Sequence, residues 1–154
     1  AEGSGMGNSD VLTEDAIMLE CNLDDMNPES YTHVMDLLFE AGAADVFIIP
    51  TVMKKSRPGH MLHVLCNHET VETLKGILFR ETSSIGLREQ HQKKSMLRRE
   101  MIEVETRYGN VEVKRSYWNG RIVNEKPEFE QCRRLALEHG IALEEVQKEV
   151  IKKL

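Results

Sequence analysis

The stretch ECNLDDMNPESY, residues 20–31, sets two adjacent carboxylates, Asp24 and Asp25, between an apolar run and a helix start. Paired carboxylates can hold a hard divalent cation, directly or through its waters. Three further polar segments bear on the same chemistry. MKKSRPG carries Lys54, Lys55 and Arg57, and FRETSSIGLR carries Arg80, Glu81, Thr82, Ser83, Ser84 and Arg88. KPEFEQCRR, near the C-terminus, carries Lys126, Arg133 and Arg134. Lys and Arg meet phosphate oxygens, Arg bidentately, and Thr82 and Ser84 would add hydroxyl donors. A pocket holding both carboxylates and cations suits a nucleoside triphosphate that travels with Mg²⁺ or Mn²⁺.

Plainer readings stand beside this one. Asp24 and Asp25 can serve as solvated turn acids that help start a helix. Lys54, Lys55 and Arg57 can guard an edge strand, and RETSS can be a helix end followed by turn residues. The CRR run reads best as a solvated helix face. There is no Walker A motif and no GxGxxG, so spacing alone selects no nucleotide site.

Histidine and cysteine usage narrows the chemistry. His60 and His63 are three apart on a predicted strand and face opposite sides. His33, His68, His91 and His139 are isolated in the sequence. No HxH, HExxH or Cys/His cluster is present, which argues against a tight transition-metal site built within the chain. Cys21, Cys66 and Cys132 are odd in number and far apart, as expected of reduced intracellular thiols rather than a disulfide frame. A net charge of −6 argues against binding nucleic acid by bulk phosphate neutralisation. No apolar run approaches the roughly 20 residues of a membrane helix. A cytoplasmic location is expected.

The elements that would position these residues follow from periodicity. Ile17, Leu19, Cys21 and Leu23 alternate with Met18, Glu20 and Asn22, predicting a strand over 16–23 with one buried face. Asn27 as N-cap and Pro28 at N1 start a helix with Tyr31, Val34, Leu38 and Ala41 along its stripe. A second strand is predicted over 45–55, with Pro50 pointing to a sheet edge. SRPG, 56–59, reads as a turn and 60–66 as a third strand. Residues 68–81 read as a helix, and 82–90 begin a fourth strand. The order βαββαβ is the ferredoxin-like arrangement, with the first and third strands central. Beyond the polar 88–100 stretch a three-stranded meander is expected, with its clearest turn at Asn119-Gly120, followed by helices over about 127–139 and 142–153. The expected class is α+β. Residues 1–15 are read as a tag or linker, because AEGSGMG has no periodicity. Residues 16–97 form a ferredoxin-like subdomain, and 98–154 a β-meander and helical subdomain.

In order and spacing, LECNLDDMNPE, DVFIIPTVMKKSRPG, LHVLC and ILFRETSSIGLR resemble the C-terminal region of the nickel insertion proteins of nickel-pincer cofactor synthesis. RYGNVEVK and KPEFEQCRRLALEHGIALEEV resemble the end of that region, so the likeness covers roughly residues 16–150. The resemblance implies a CTP-dependent nickel insertase (a cyclometallase of lyase or chelatase type) that makes a carbon–nickel bond in a pyridinium dithiocarboxylate mononucleotide. Ni²⁺ is then a substrate, and CTP acts with Mn²⁺ or Mg²⁺ and is cleaved to CMP and pyrophosphate. The C-terminal region is implied to bind metal–CTP and to form a homo-oligomer. The family's His-rich N-terminal segment, associated with nickel, has no counterpart here, so this chain is not expected to complete the reaction alone.

Joined to the residue chemistry, the resemblance gives expected roles. Asp24 and Asp25 hold the divalent ion, with Glu81 either a further ligand or the partner of an arginine. Lys54, Lys55, Arg57, Arg80, Thr82, Ser84 and Arg88 receive the triphosphate. The competing reading is a non-catalytic, oligomeric ferredoxin-like module that senses a small ligand. RNA binding on the sheet is disfavoured, since the third strand, HMLHVLC, lacks stacking aromatics.

Overall fold

The computed structural model describes residues 9–24 and 26–154, so Asp25 lies outside the described residues. In chain order the elements are β1 (Val11–Leu23), α1 (Pro28–Glu40), β2 (Asp45–Val52), β3 (Pro58–Cys66), α2 (Val71–Glu81) and β4 (Arg88–Leu97). They continue with β5 (Arg99–Thr106), β6 (Gly109–Trp118), β7 (Arg121–Pro127), α3 (Phe129–His139) and α4 (Leu143–Lys152). The class is α+β, with one four-stranded sheet ordered β2-β3-β1-β4 and one three-stranded sheet ordered β5-β6-β7.

The chain divides into two compact units. One is Glu14–Lys94; the other joins the described residues up to Thr13 to Ser95–Leu154. In the first unit, β1 and β3 are central and antiparallel, and Ile17 lies opposite Cys66 and Leu23 opposite His60. β2 is an edge strand, and Pro50 sits opposite His60 where a missing N–H is tolerable. The alternation in β1 buries Ile17, Leu19, Cys21 and Leu23 against Val34 and Leu38 of α1 and Leu74 and Leu78 of α2. Each fully buried Leu or Ile contributes roughly 1.5–3 kcal/mol of transfer free energy. The Asn27 side chain caps α1 by accepting from the Glu29 N–H at 2.8 Å, with Pro28 at N1.

Several boundaries differ from the sequence expectation. β1 begins at Val11 rather than 16. Its early residues are mostly exposed and lack alternation, so no burial periodicity marks them. β2 stops at Val52, and Lys54–Ser56 form a single 3₁₀ turn with Lys55 at φ 61° and Ser56 at φ 59°. β3 starts two residues early, at Pro58, opposite Val52. α2 starts at Val71 because Asn67 Oδ1 accepts from the N–H groups of Glu69 and Thr70, holding a turn ahead of the helix. β4 starts at Arg88 rather than 82, because the Thr82 and Ser84 hydroxyls bond to local backbone and hold 82–87 as a loop.

In the second unit, Val104, Val111 and Val113 pack on Cys132, Leu135, Ala136, Val146 and Val150. The β6–β7 turn carries Asn119 at φ 54° and Gly120 at φ 77°, the paired positive φ angles that an Asn-Gly hairpin provides. The Gly120 N–H donates to Asp10 Oδ2 at 2.6 Å, and Arg98 Nε donates to Asp10 Oδ1 at 2.8 Å. Asp10 is therefore a buried carboxylate with fixed partners. Among the described residues, no helix is long and apolar enough to cross a membrane.

Candidate functional site

β1 ends at Leu23, and Asp24 follows as an exposed residue ahead of α1. Tyr31 Oη, one turn into α1, donates to the Asp24 backbone carbonyl at 3.3 Å and lies 2.9 Å from His60 Nδ1 of β3. The site is anchored from below by helix and sheet.

Beside Asp24 lies a groove of about 440 Å³ lined by Asn22, Asp24 and the 83–88 segment. Its cation is Arg88, whose Nη2 donates to Asn22 Oδ1 at 3.2 Å and stands 3.6 Å from Glu20 Oε2. The loop is held by its own hydroxyls. Thr82 Oγ1 donates to Leu78 O at 2.6 Å and accepts from the Ser84 N–H at 3.2 Å, and Ser84 Oγ donates to Gly86 O at 2.7 Å. One carboxylate, one guanidinium, two serines and loop backbone thus share a solvent-facing groove. That donor set suits a hard cation beside an anionic oxygen ligand.

The other expected residues lie around this end of the sheet. Lys54, Lys55 and Arg57 are exposed on the turn joining β2 to β3. That turn borders Leu23, because a Cβ on Gly59 would stand 3.2 Å from the Leu23 carbonyl oxygen. These three do not line the groove itself. Arg80 and Glu81 form the end of α2, where Arg80 Nε donates to Glu81 Oε2 at 2.9 Å and His33 of α1 lies 3.3 Å from Glu81 Oε1. The Arg80 bond, and secondarily His33, hold the Glu81 carboxyl below the ordinary carboxylate range against partial desolvation. Glu81 is already an arginine partner here, and service as a metal ligand would draw it from Arg80. Lys126, Arg133 and Arg134 belong to the second unit.

Asn22, Ser83, Ile85 and Gly86 line the groove but were not among the expected ligands. Asn22 was visible as the last polar-face residue of β1. Ser83 stood in a polar segment singled out in the sequence but was given no role, and Ile85 and Gly86 carried no signal, because 82–87 reads as the start of a strand. Cys21 sits behind the groove, and burial pushes its thiol up to about 11 despite the opposing effects of Ser84 and Arg88. It is a protonated core residue. All three cysteines are free and buried.

Fold and groove together define a ferredoxin-like α+β domain with a charged, solvent-facing groove at the end of its first strand. The chain belongs to the nickel insertion protein family, whose profile, described as "Nickel insertion protein", matches residues 6–147. The pyridinium-3,5-bisthiocarboxylic acid mononucleotide nickel insertion protein of Clostridium kluyveri is 44% identical over 139 residues, 90% of this chain and 35% of that protein. Its counterpart in Thermotoga petrophila is 42% identical over 149 residues, 97% of this chain and 38% of that protein. The chain thus spans about a third of the length of these curated relatives. Among solved structures, it is similar to LarC2, the C-terminal domain of a cyclometallase involved in the synthesis of the NPN cofactor of lactate racemase, in its apo form. That similarity has a TM-score of 0.84 at 34% identity and covers 92% of this chain and 98% of that one. A protein of Methanopyrus kandleri matches with a TM-score of 0.69 at 27% identity, over 91% of this chain and 87% of that one.

Proposed function

We propose that this chain is the nucleotide-binding and assembly portion of a CTP-dependent nickel insertase acting in the cytoplasm. The observation that carries the proposal is the meeting of Asp24, Ser83, Ser84 and Arg88 in one groove, with the Lys54–Arg57 turn beside Leu23. Asp24, together with Asp25, would hold Mn²⁺ or Mg²⁺. The ion would neutralise phosphate charge on the bound nucleotide. Arg88 would take phosphate oxygens, with Lys54, Lys55, Arg57 and Arg80 raising the local positive potential. Thr82 holds the loop through its bond to Leu78 O, and Ser84 presents its side chain along the groove wall. Ni²⁺ and the pyridinium dithiocarboxylate precursor are the substrates of the complete protein, and the working form is a homo-oligomer.

Calorimetry tests the reading. CTP should bind tightly only with Mn²⁺ or Mg²⁺ present, and Asp24→Ala with Asp25→Ala should abolish that binding. Unchanged binding in the double variant removes the carboxylate role. Pyrophosphate release by the longer protein supports an insertase, whereas binding without turnover points to a ligand-sensing module instead.

A further inference from the structure

His68 and His91, far apart in sequence, are neighbours in space. His68 follows β3 and His91 lies in β4, and their ring centroids are 5.5 Å apart, tilted by 39°. With Asp15, Gln92 and Lys93 they line a groove of about 300 Å³. The groove belongs to the opposite end of the sheet from Asp24. Asp15 stands eight residues before Leu23 in β1, about 27 Å along an extended strand.

The surroundings of His91 are organised. His91 Nε2 is 3.1 Å from Glu89 Oε2, and Glu89 Oε1 is 2.6 Å from Lys75 Nζ of α2. A carboxylate only accepts, so Nε2 carries the hydrogen. In the neutral ring, Nδ1 is then left with its lone pair. A histidine oriented by a carboxylate through one nitrogen while the other stays available is the arrangement found behind metal ligands. With metal–nitrogen bonds of about 2.1 Å, two imidazoles on neighbouring positions of one ion have centroids about 5 Å apart.

The geometry points to a second cation site, in which His68 and His91 together bind a borderline-soft divalent transition metal such as Ni²⁺. Among the described residues, no three His, Cys, Asp or Glu side chains converge as a ready metal cluster. The site is therefore a two-imidazole one whose remaining positions are filled by water, an open site that accepts and releases an ion. The Lys93 charge on the rim opposes the cation, and the Asp15 charge favours it. The proposal goes beyond the nucleotide reading and does not rest on it.

The probe is Ni²⁺ alone, without nucleotide, titrated into the 154-residue chain. Binding is followed by calorimetry and by paramagnetic broadening of the histidine ring signals. The His68 and His91 rings should broaden ahead of the other four histidines. His68→Gln and His91→Gln should each weaken the event at least tenfold, and Glu89→Gln should weaken it about tenfold, while Asp24→Ala leaves it unchanged. Both histidines are exposed, so the variants should keep the wild-type melting curve, which circular dichroism checks. Broadening of other histidines first, or undiminished affinity in either histidine variant, overturns the site. Loss of metal–CTP binding in Asp24→Ala with the nickel event intact is the outcome expected if both sites are real. Retained metal–CTP binding there removes the role of Asp24 in the nucleotide reading and leaves the nickel site standing.

Discussion

Arg88 connects the groove to the sheet. It stands at the first position of β4, and its guanidinium bridges Asn22 and Glu20 on the polar face of β1. A charged hydrogen bond to phosphate is worth about 1.5–3 kcal/mol, so Arg88→Ala should weaken metal–CTP binding roughly 10- to 100-fold by calorimetry. Arg88→Lys should recover only part of that, since Lys lacks the bidentate fork. Cys21 lies behind the same wall and should behave oppositely to a reactive thiol. With its thiol pushed up to about 11 and 1% of its surface exposed, it should resist iodoacetamide in the native protein and react only in urea. Mass spectrometry of the labelled peptide checks this, and rapid native labelling would contradict the assignment. The place of Asp24 was legible in sequence because it directly follows an alternating strand, and the structure sets it on the groove wall. His68 and His91 were not, because one follows β3 and the other lies within β4, and only the folded sheet places them together.

At the scale of elements, the helices were the most legible. Asn27-Pro28 marks the start of α1, and the 3.6-residue stripe marks its buried face. Asn27→Ala should cost about 1 kcal/mol, and Leu78→Ala, which opens a cavity under α2 at a fully buried position, about 2–5 kcal/mol. Urea denaturation with an unchanged m-value checks both. Strand limits were less legible. β4 runs through REQHQKKSML, a sequence with no apolar alternation, and it is a strand because its backbone is paired beside β1. Residues 82–87 show the converse. Their β-like composition gives way to hydroxyl–backbone bonds that hold a loop, and that loop forms the groove wall. Sequence periodicity records burial; it carries little about elements made by backbone pairing or side-chain capping alone.

For the whole molecule, the two units make separate contributions. Asp10 ties the segment ahead of β1 to the β6–β7 turn through Gly120 and to Arg98. The Gly120 N–H, followed by Arg98, holds the Asp10 carboxyl below its ordinary value of 3.8 against partial desolvation. Because its folded value is depressed, its contribution is present above pH 3.8 and is lost as pH falls through the lower folded value. The melting temperature should therefore fall steeply below about pH 4, and Asp10→Asn should flatten that acid limb while lowering stability at neutral pH. A variant with the same acid limb as the parent would contradict the role. The chain also spans only about a third of the length of its curated relatives.

The most direct test of the central claim is a crystal structure of this chain grown with CTP and Mn²⁺. The account predicts the metal against the carboxylate at residue 24 and phosphate density along the 83–88 wall beside Arg88. Nucleotide density on another surface, with that groove filled only by solvent, would contradict it.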